Sequence, residues 1–126
     1  MLINNLFSVK DKVVLVTGGS RGIGEMIAEG YCANGAKVYI SARSKDVVTK
    51  TAKRISASYD SECIGIECDI SSPEAVKSAV QHVVDEFGAI HILHNNAQGS
   101  TAPVPFEECS LEQWRVTSAV NEEGYF

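Results

Sequence analysis

Val13-Val14-Leu15-Val16-Thr17-Gly18-Gly19-Ser20-Arg21-Gly22-Ile23-Gly24 is the stretch whose reading decides the fold. An apolar, mostly β-branched run stops at a glycine-rich turn, and a helical pattern starts at once. A strand, a tight loop and a helix N-terminus in that order make an anion site. The N–H groups of the first helical turn have no intrahelical acceptor, and the helix dipole adds partial positive charge there. A pyrophosphate fits only where main chain comes close, and Gly18, Gly22 and Gly24 remove the side chains that would block it. Ser20 offers a hydroxyl. The first carboxylate, Glu25, stands already inside the helix. The competing reading is a purely structural glycine turn between strand and helix.

Outward from that stretch, strands alternate with helices. Residues 13 to 17 lack in–out alternation, as expected of a parallel strand covered on both faces. The first helix has Ile23, Met26, Ile27, Gly30 and Tyr31 on the i, i+3, i+4, i+7, i+8 template, and Asn34-Gly35 ends it. Lys37 to Ala42 form the second strand, which completes one βαβ unit. A second helix is predicted over about 45 to 58, with Val48, Ala52 and Ile55 on one face. The third strand runs near Cys63 to Cys68. Ser72-Pro73-Glu74 opens a third helix as N-cap, first-position proline and first-turn acid. Val76, Ala79, Val80, Val83, Val84 and Phe87 form its apolar stripe, and Gly88 stops it. The fourth strand is predicted from Ile90 to about Asn95. Ser110-Leu111-Glu112-Gln113 is a capping box that starts a last helix, inside which the chain is expected to end. This alternation predicts an α/β fold, a Rossmann-type doubly wound parallel sheet truncated at four strands in the order 3-2-1-4, with the ligand crevice between strands 1 and 4.

Composition bounds the function. The chain has 126 residues, 44% of them apolar, and a formal net charge of −5 with acids and bases interspersed. That is one domain with a packed core and no basic footprint for nucleic acid. The N-terminus, Met1 to Phe7, has neither a basic region nor a long apolar core. No apolar run is long enough to span a bilayer. The expectation is a soluble cytoplasmic protein. Cys32, Cys63, Cys68 and Cys109 form no metal-binding spacing and are read as reduced, small apolar residues, and no metal site is expected. His82, His91 and His94 are read as surface or packing residues.

Ligands of such sheets bind beyond the carboxyl ends of the strands. At the end of strand 2, where an acid would bind the ribose hydroxyls of NAD, this chain has Arg43. A guanidinium there suits a 2′-phosphate, and Arg21 in the glycine loop is a second cation within reach. The pair favours NADP(H) over NAD(H). The competing reading is two solvated arginines.

Thr17-Gly18-x-x-x-Gly22-x-Gly24 resembles the fingerprint of the short-chain dehydrogenase/reductase family. The resemblance carries Thr17, Gly18, Gly19, Ser20, Arg21, Gly22, Ile23 and Gly24 into cofactor binding. It also implies that Asp69 binds the adenine amino group, helped by the backbone of Ile70; the alternative is a turn residue before the third helix. Asn95-Asn96-Ala97 is similar to the family's Asn-Asn-Ala-Gly signature, which stabilises the sheet and contacts the cofactor ribose. The match fails at Gln98, where a positive φ would strain the backbone by about 1 kcal/mol. Trp114 to Phe126 looks like the family's stretch in which an Asn, here Asn121, kinks a helix and holds a water of the proton relay; the alternative is a helix Asn without a special role.

The resemblance reaches only the N-terminal half of a typical member. It implies a catalytic Ser and a Tyr-x-x-x-Lys pair beyond Phe126, and no Tyr here stands four residues before a Lys. The chain as given is therefore expected to bind cofactor without catalysing, to be marginally stable alone, and to act on a small carbonyl or alcohol as a homo-oligomer when complete. The glycine loop and Arg43 look most like 3-oxoacyl-carrier-protein reductases, including the rhamnolipid-synthesis branch. The rivals are a non-catalytic dinucleotide-binding module and a methyltransferase-type domain, although the latter usually needs an acid where Arg43 stands.

Overall fold

The computed structural model describes residues 6–126. The reading of the N-terminal stretch as leaderless falls largely on residues 1–5, outside that range. Strands β1 (Val13–Thr17), β2 (Lys37–Ala42), β3 (Cys63–Glu67) and β4 (Ile92–His94) form one parallel sheet in the order β3-β2-β1-β4. Helices α1 (Gly22–Ala33), α2 (Lys45–Ser58), α3 (Pro73–Phe87) and α4 (Leu111–Asn121) connect or follow them. The predicted fold class and strand order hold.

Strand alternation sorts the core into two layers. Val14, Val16, Val38 and Ile40 point to one face, where Ala28 and Cys32 of α1 and Val48, Ala52 and Ile55 of α2 cover them. Val13, Leu15 and Tyr39 point to the other, against Val83 of α3. Every residue of β1 is buried, as the missing alternation requires. Tyr39 is fully buried except that its phenol donates to the Glu86 carboxylate. Burial first, and then Glu86, hold it neutral far above the usual phenol range.

Several expectations need correction. The apolar template of α1 picks the wrong face. Ile23 and Met26 are 72% and 69% exposed, and Gly24, Ala28 and Cys32 are the buried residues. A helix that starts directly at a tight loop lies almost in backbone contact with the sheet, so only small side chains fit beneath it. In α3, Ala79 and Val83 are buried but Val80 is exposed. β4 spans three residues instead of about six. At its start His91 donates its N–H to the Val13 carbonyl, and its ring Nδ1 accepts from the Val13 N–H. Beyond His94 the backbone turns to the Thr17 hydroxyl. The last helix ends at Asn121, and a 3₁₀ turn, Glu123–Tyr125, follows it. Gly124 there passes so close to Ile70 that an added Cβ would lie 2.9 Å from its carbonyl oxygen. All four cysteines are free, but Cys109 is exposed rather than packed.

Helix caps agree with the sequence where it offered them. Ser72 accepts from the Ala75 N–H, and Ser110 and Gln113 form the full capping box. Among the described residues, no helix is long and apolar enough to cross a membrane.

Candidate functional site

A cleft of about 580 Å³ opens at the carboxyl ends of β1, β2 and β4, within the usual range for small-molecule sites. Its floor is the glycine loop and the start of α1. Arg21 is the N-cap of α1 and makes no side-chain capping bond, so the N–H groups of Gly22, Ile23 and Gly24, residues that line the cleft, have no side-chain partner. The N-terminus of α2, at Ser44, also lacks a side-chain cap and also borders the cleft. The two helices that begin elsewhere, α3 and α4, are both capped by serine. Two uncapped helix dipoles thus converge on the same space, which makes it attractive to anions.

Arg21 and Arg43 both line the cleft and are exposed. Among the described residues neither is in an ion pair; the salt bridges are those of Arg54 with Glu25 and Glu29, and of His82 with Glu86. Asp69 lines the cleft as well. Its Oδ1 accepts from the Ser71 hydroxyl at 2.7 Å and the Ser71 N–H at 3.0 Å, so the turn role holds. Those bonds chiefly, with some help from the Arg43 charge, hold its carboxyl below the usual range. Oδ2 accepts no hydrogen bond among the described residues.

The predicted residues divide into two groups. Gly18, Ser20, Arg21, Gly22, Ile23 and Gly24 meet Arg43, Asp69, Ile70, Asn96 and Ala97 around the cleft. Thr17, Gly19 and Asn95 do not border it. Gly19 is buried against Ile40, where an added Cβ would lie 2.6 Å from that side chain. Asn95 lies at a smaller cavity of about 170 Å³, together with Thr17, Leu93 and Ser41, whose buried hydroxyl has no partner among the described residues. The role expected of the glycines also changes. Gly24 makes room for the loop and for Asn96, whereas Gly22 faces open space.

Thr17 and Asn96 hold the cleft floor together. The Thr17 hydroxyl accepts from the N–H groups of Asn96 and Ala97, both at 3.0 Å, and donates to the His94 carbonyl. The Asn96 amide donates in turn to the carbonyls of Thr17 and Gly18, at 2.9 and 3.3 Å. These bonds tie the end of β4 to the glycine loop. Thr17→Val keeps the shape but leaves two N–H groups unpaired, and is expected to cost about 2–3 kcal/mol. Thermal melting checks this: a fall of roughly 10 °C for Val, with Thr17→Ser close to the parent.

Asn121 is the last residue of α4, just before the break that leads into the 3₁₀ turn. Its amide exchanges two hydrogen bonds with the backbone of Gly99, at 2.9 and 2.8 Å. Gln98 has no positive φ, so the expected strain is absent. The crowded position is instead Gly99, where a Cβ would lie 2.9 Å from the Val120 side chain. Sequence reasoning pointed to Gln98 only as a broken motif position, and missed Gly99, Val47 and Val120 as cleft residues. Gly99, one place late in the motif, was the available signal.

Residues 12–126 match the family model described as short chain dehydrogenase. The chain belongs to that family. It is 37% identical over 120 residues to the rhamnolipids biosynthesis 3-oxoacyl-[acyl-carrier-protein] reductase of Pseudomonas aeruginosa, a match covering 95% of this chain and 46% of that enzyme. Among solved structures, the Pseudomonas aeruginosa RhlG/NADP active-site complex superposes with a TM-score of 0.87 at 37% identity, over 95% of this chain and 46% of that one. L-Sorbose reductase from Gluconobacter frateurii, complexed with NADPH and L-sorbose, gives 0.87 at 30% identity, over 94% and 44%. The chain spans less than half the length of the curated relatives it matches.

Proposed function

We propose that residues 1–126 are the dinucleotide-binding domain of an NADP(H)-dependent oxidoreductase that interconverts a carbonyl and an alcohol. The observation that carries this reading is the pair of guanidinium groups, Arg21 and Arg43, without ion partners among the described residues, at a cleft floored by an uncapped helix N-terminus. The N–H groups of Gly22, Ile23 and Gly24 and the Ser20 hydroxyl hold the diphosphate. Arg43 and Arg21 grip the 2′-phosphate as planar charged donors. Asp69, through its second oxygen, and the backbone of Ile70 take the adenine. Asn96 and Ala97 border the ribose. Thr17 and Gly19 serve by holding those groups in place, and Asn95 lies at the smaller cavity. The bound cofactor supplies or accepts the hydride.

Asn121 belongs to this reading as the residue that fixes the Gln98-Gly99 segment. Its remaining N–H and lone pair are the atoms with which it would order a relay water. The NADP and NADPH of the two solved relatives support the phosphorylated cofactor. Similarity to the Pseudomonas reductase supports a 3-oxoacyl thioester as substrate. A cytoplasmic homo-oligomer is the setting we assign to the complete protein. No Tyr in the chain stands four residues before a Lys, so these residues alone bind cofactor and do not turn substrate over.

Titration followed by NADPH fluorescence tests the cofactor reading. The expected order is NADPH tightest, NADH weaker, and S-adenosylmethionine not bound. Absence of NADPH binding, or equal binding of S-adenosylmethionine, would overturn it. Assay of the full-length gene product with 3-oxoacyl thioesters separates the enzyme from a non-catalytic dinucleotide-binding module.

A further inference from the structure

Thr51 lies mid-helix in α2, half-buried and outside the cleft. A helical Ser or Thr hydroxyl by default bonds back to the carbonyl four residues earlier. Ser58 of the same helix does so, with Arg54 at 3.0 Å. Thr51 does not. Its hydroxyl donates to the carbonyl of Ser20, 31 residues away, at 3.1 Å. Among the described residues, this is the one side-chain hydrogen bond between α2 and the glycine loop.

The bond sits in a strategic place. Ser20 directly precedes Arg21. Arg43 lies two residues before the first residue of α2. A second bond, from the Gly19 N–H to the Ser41 carbonyl at 3.1 Å, ties the loop to β2. One turn further along the same face of α2, Arg54 grips Glu25 and Glu29 of α1. One turn earlier on that face, Val47 borders the cleft. The loop that carries Arg21 is therefore latched onto the strand–helix corner that carries Arg43.

We infer that Thr51 is a positioning residue for cofactor selectivity. By holding the Ser20 carbonyl it fixes the spacing of the Arg21 and Arg43 stems, so that both guanidinium groups meet one phosphate. This rests on the NADP(H) reading above. A nucleotide without the 2′-phosphate does not need both arginines and is indifferent to their spacing. Both nucleotides share the diphosphate that Ser20 meets, so a displaced loop weakens both, but only the 2′-phosphate senses the arginine spacing, and the ratio of the two affinities is the quantity that reports on Thr51.

The test is a titration of the full chain with NADPH and with NADH, for the parent, Thr51→Val and Thr51→Ser. Valine keeps the branched shape and has a similar helix propensity but cannot donate. The expected result is a fall of about fivefold in the NADPH-to-NADH affinity ratio for valine, the equivalent of one lost hydrogen bond. Serine is expected to restore the ratio. A purely structural role would lower the melting temperature and weaken both nucleotides equally. An unchanged ratio in Thr51→Val, whatever happens to the absolute affinities, overturns the inference. If valine does not fold, Thr51→Ala, which also lacks the hydroxyl and favours the helix, decides in its place: a lowered ratio supports the inference and an unchanged ratio overturns it. A parent protein with no preference for NADPH would instead overturn the cofactor reading itself.

Discussion

Replacing Arg43 by glutamate is expected to reverse the nucleotide preference, with NADPH affinity falling about a hundredfold and NADH affinity holding or rising. Arg43 is exposed at the cleft rim and makes no hydrogen bond or ion pair among the described residues, so the fold does not depend on it. A 2′-phosphate loses a planar charged donor there and meets a like charge instead. Together these effects amount to roughly 3 kcal/mol. The glutamate would also face Asp69, whose carboxyl is held low mainly by Ser71 and additionally by the Arg43 charge. In the variant that help becomes repulsion, which disfavours any further negative charge nearby. For NADH the outcome is opposite in sign, because a carboxylate at the end of β2 accepts from the ribose hydroxyls. Parallel titrations of parent and variant check this. Unchanged relative affinities would remove Arg43 from the site.

What could be read in the sequence was whatever local pattern encodes. α2 is a clear case: Val48, Ala52 and Ile55 recur at helical spacing, and all three are buried. The serine caps of α3 and α4 are equally local, because cap and partner lie three residues apart. The face of α1 was not legible in this way. Periodicity counts apolar side chains and knows nothing of how near the backbone comes to the sheet. Where backbone contact is close, Gly24, Ala28 and Cys32 take the inside, and Ile23 and Met26 are turned out.

The same division runs through the site. The glycine loop and Arg43 stand out locally, each at the end of an apolar strand. The bonds that hold them do not. Thr17 with Asn96 and Ala97 spans 79 and 80 residues, Asn121 with Gly99 spans 22, and Thr51 with Ser20 spans 31. Each joins a polar side chain to a backbone group, a pairing that favours no particular residue type at the other end. The family resemblance named Thr17, Asn96 and Asn121 without saying which backbone groups they hold, and gave no sign of Thr51.

Gly24→Ala and Gly22→Val are expected to fail in opposite ways, and the contrast isolates what the loop does. A Cβ on Gly24 would lie 2.3 Å from the Gly18 carbonyl oxygen and 2.4 Å from the Asn96 amide nitrogen. The first is backbone and cannot swing aside. The second already holds the carbonyls of Thr17 and Gly18. One methyl group therefore forces α1 off the loop and strains the bond network that ties β1 to β4. Overpacking of this kind costs about 3 kcal/mol, and the melting temperature is expected to fall by roughly 10 °C or more. At Gly22 nothing lies within 4 Å of the added Cβ, and the cost is the left-handed backbone, φ +57°. A β-branched side chain there costs about 1–2 kcal/mol and occupies space at the mouth of the cleft. Melting is expected to shift less than for Gly24→Ala, while NADPH binding falls below detection because the phosphate can no longer approach the first turn of α1. Melting curves and NADPH titrations of both variants check the pair. A folded Gly22→Val protein that bound NADPH as tightly as the parent would show that the nucleotide does not sit on the bare amides of this loop.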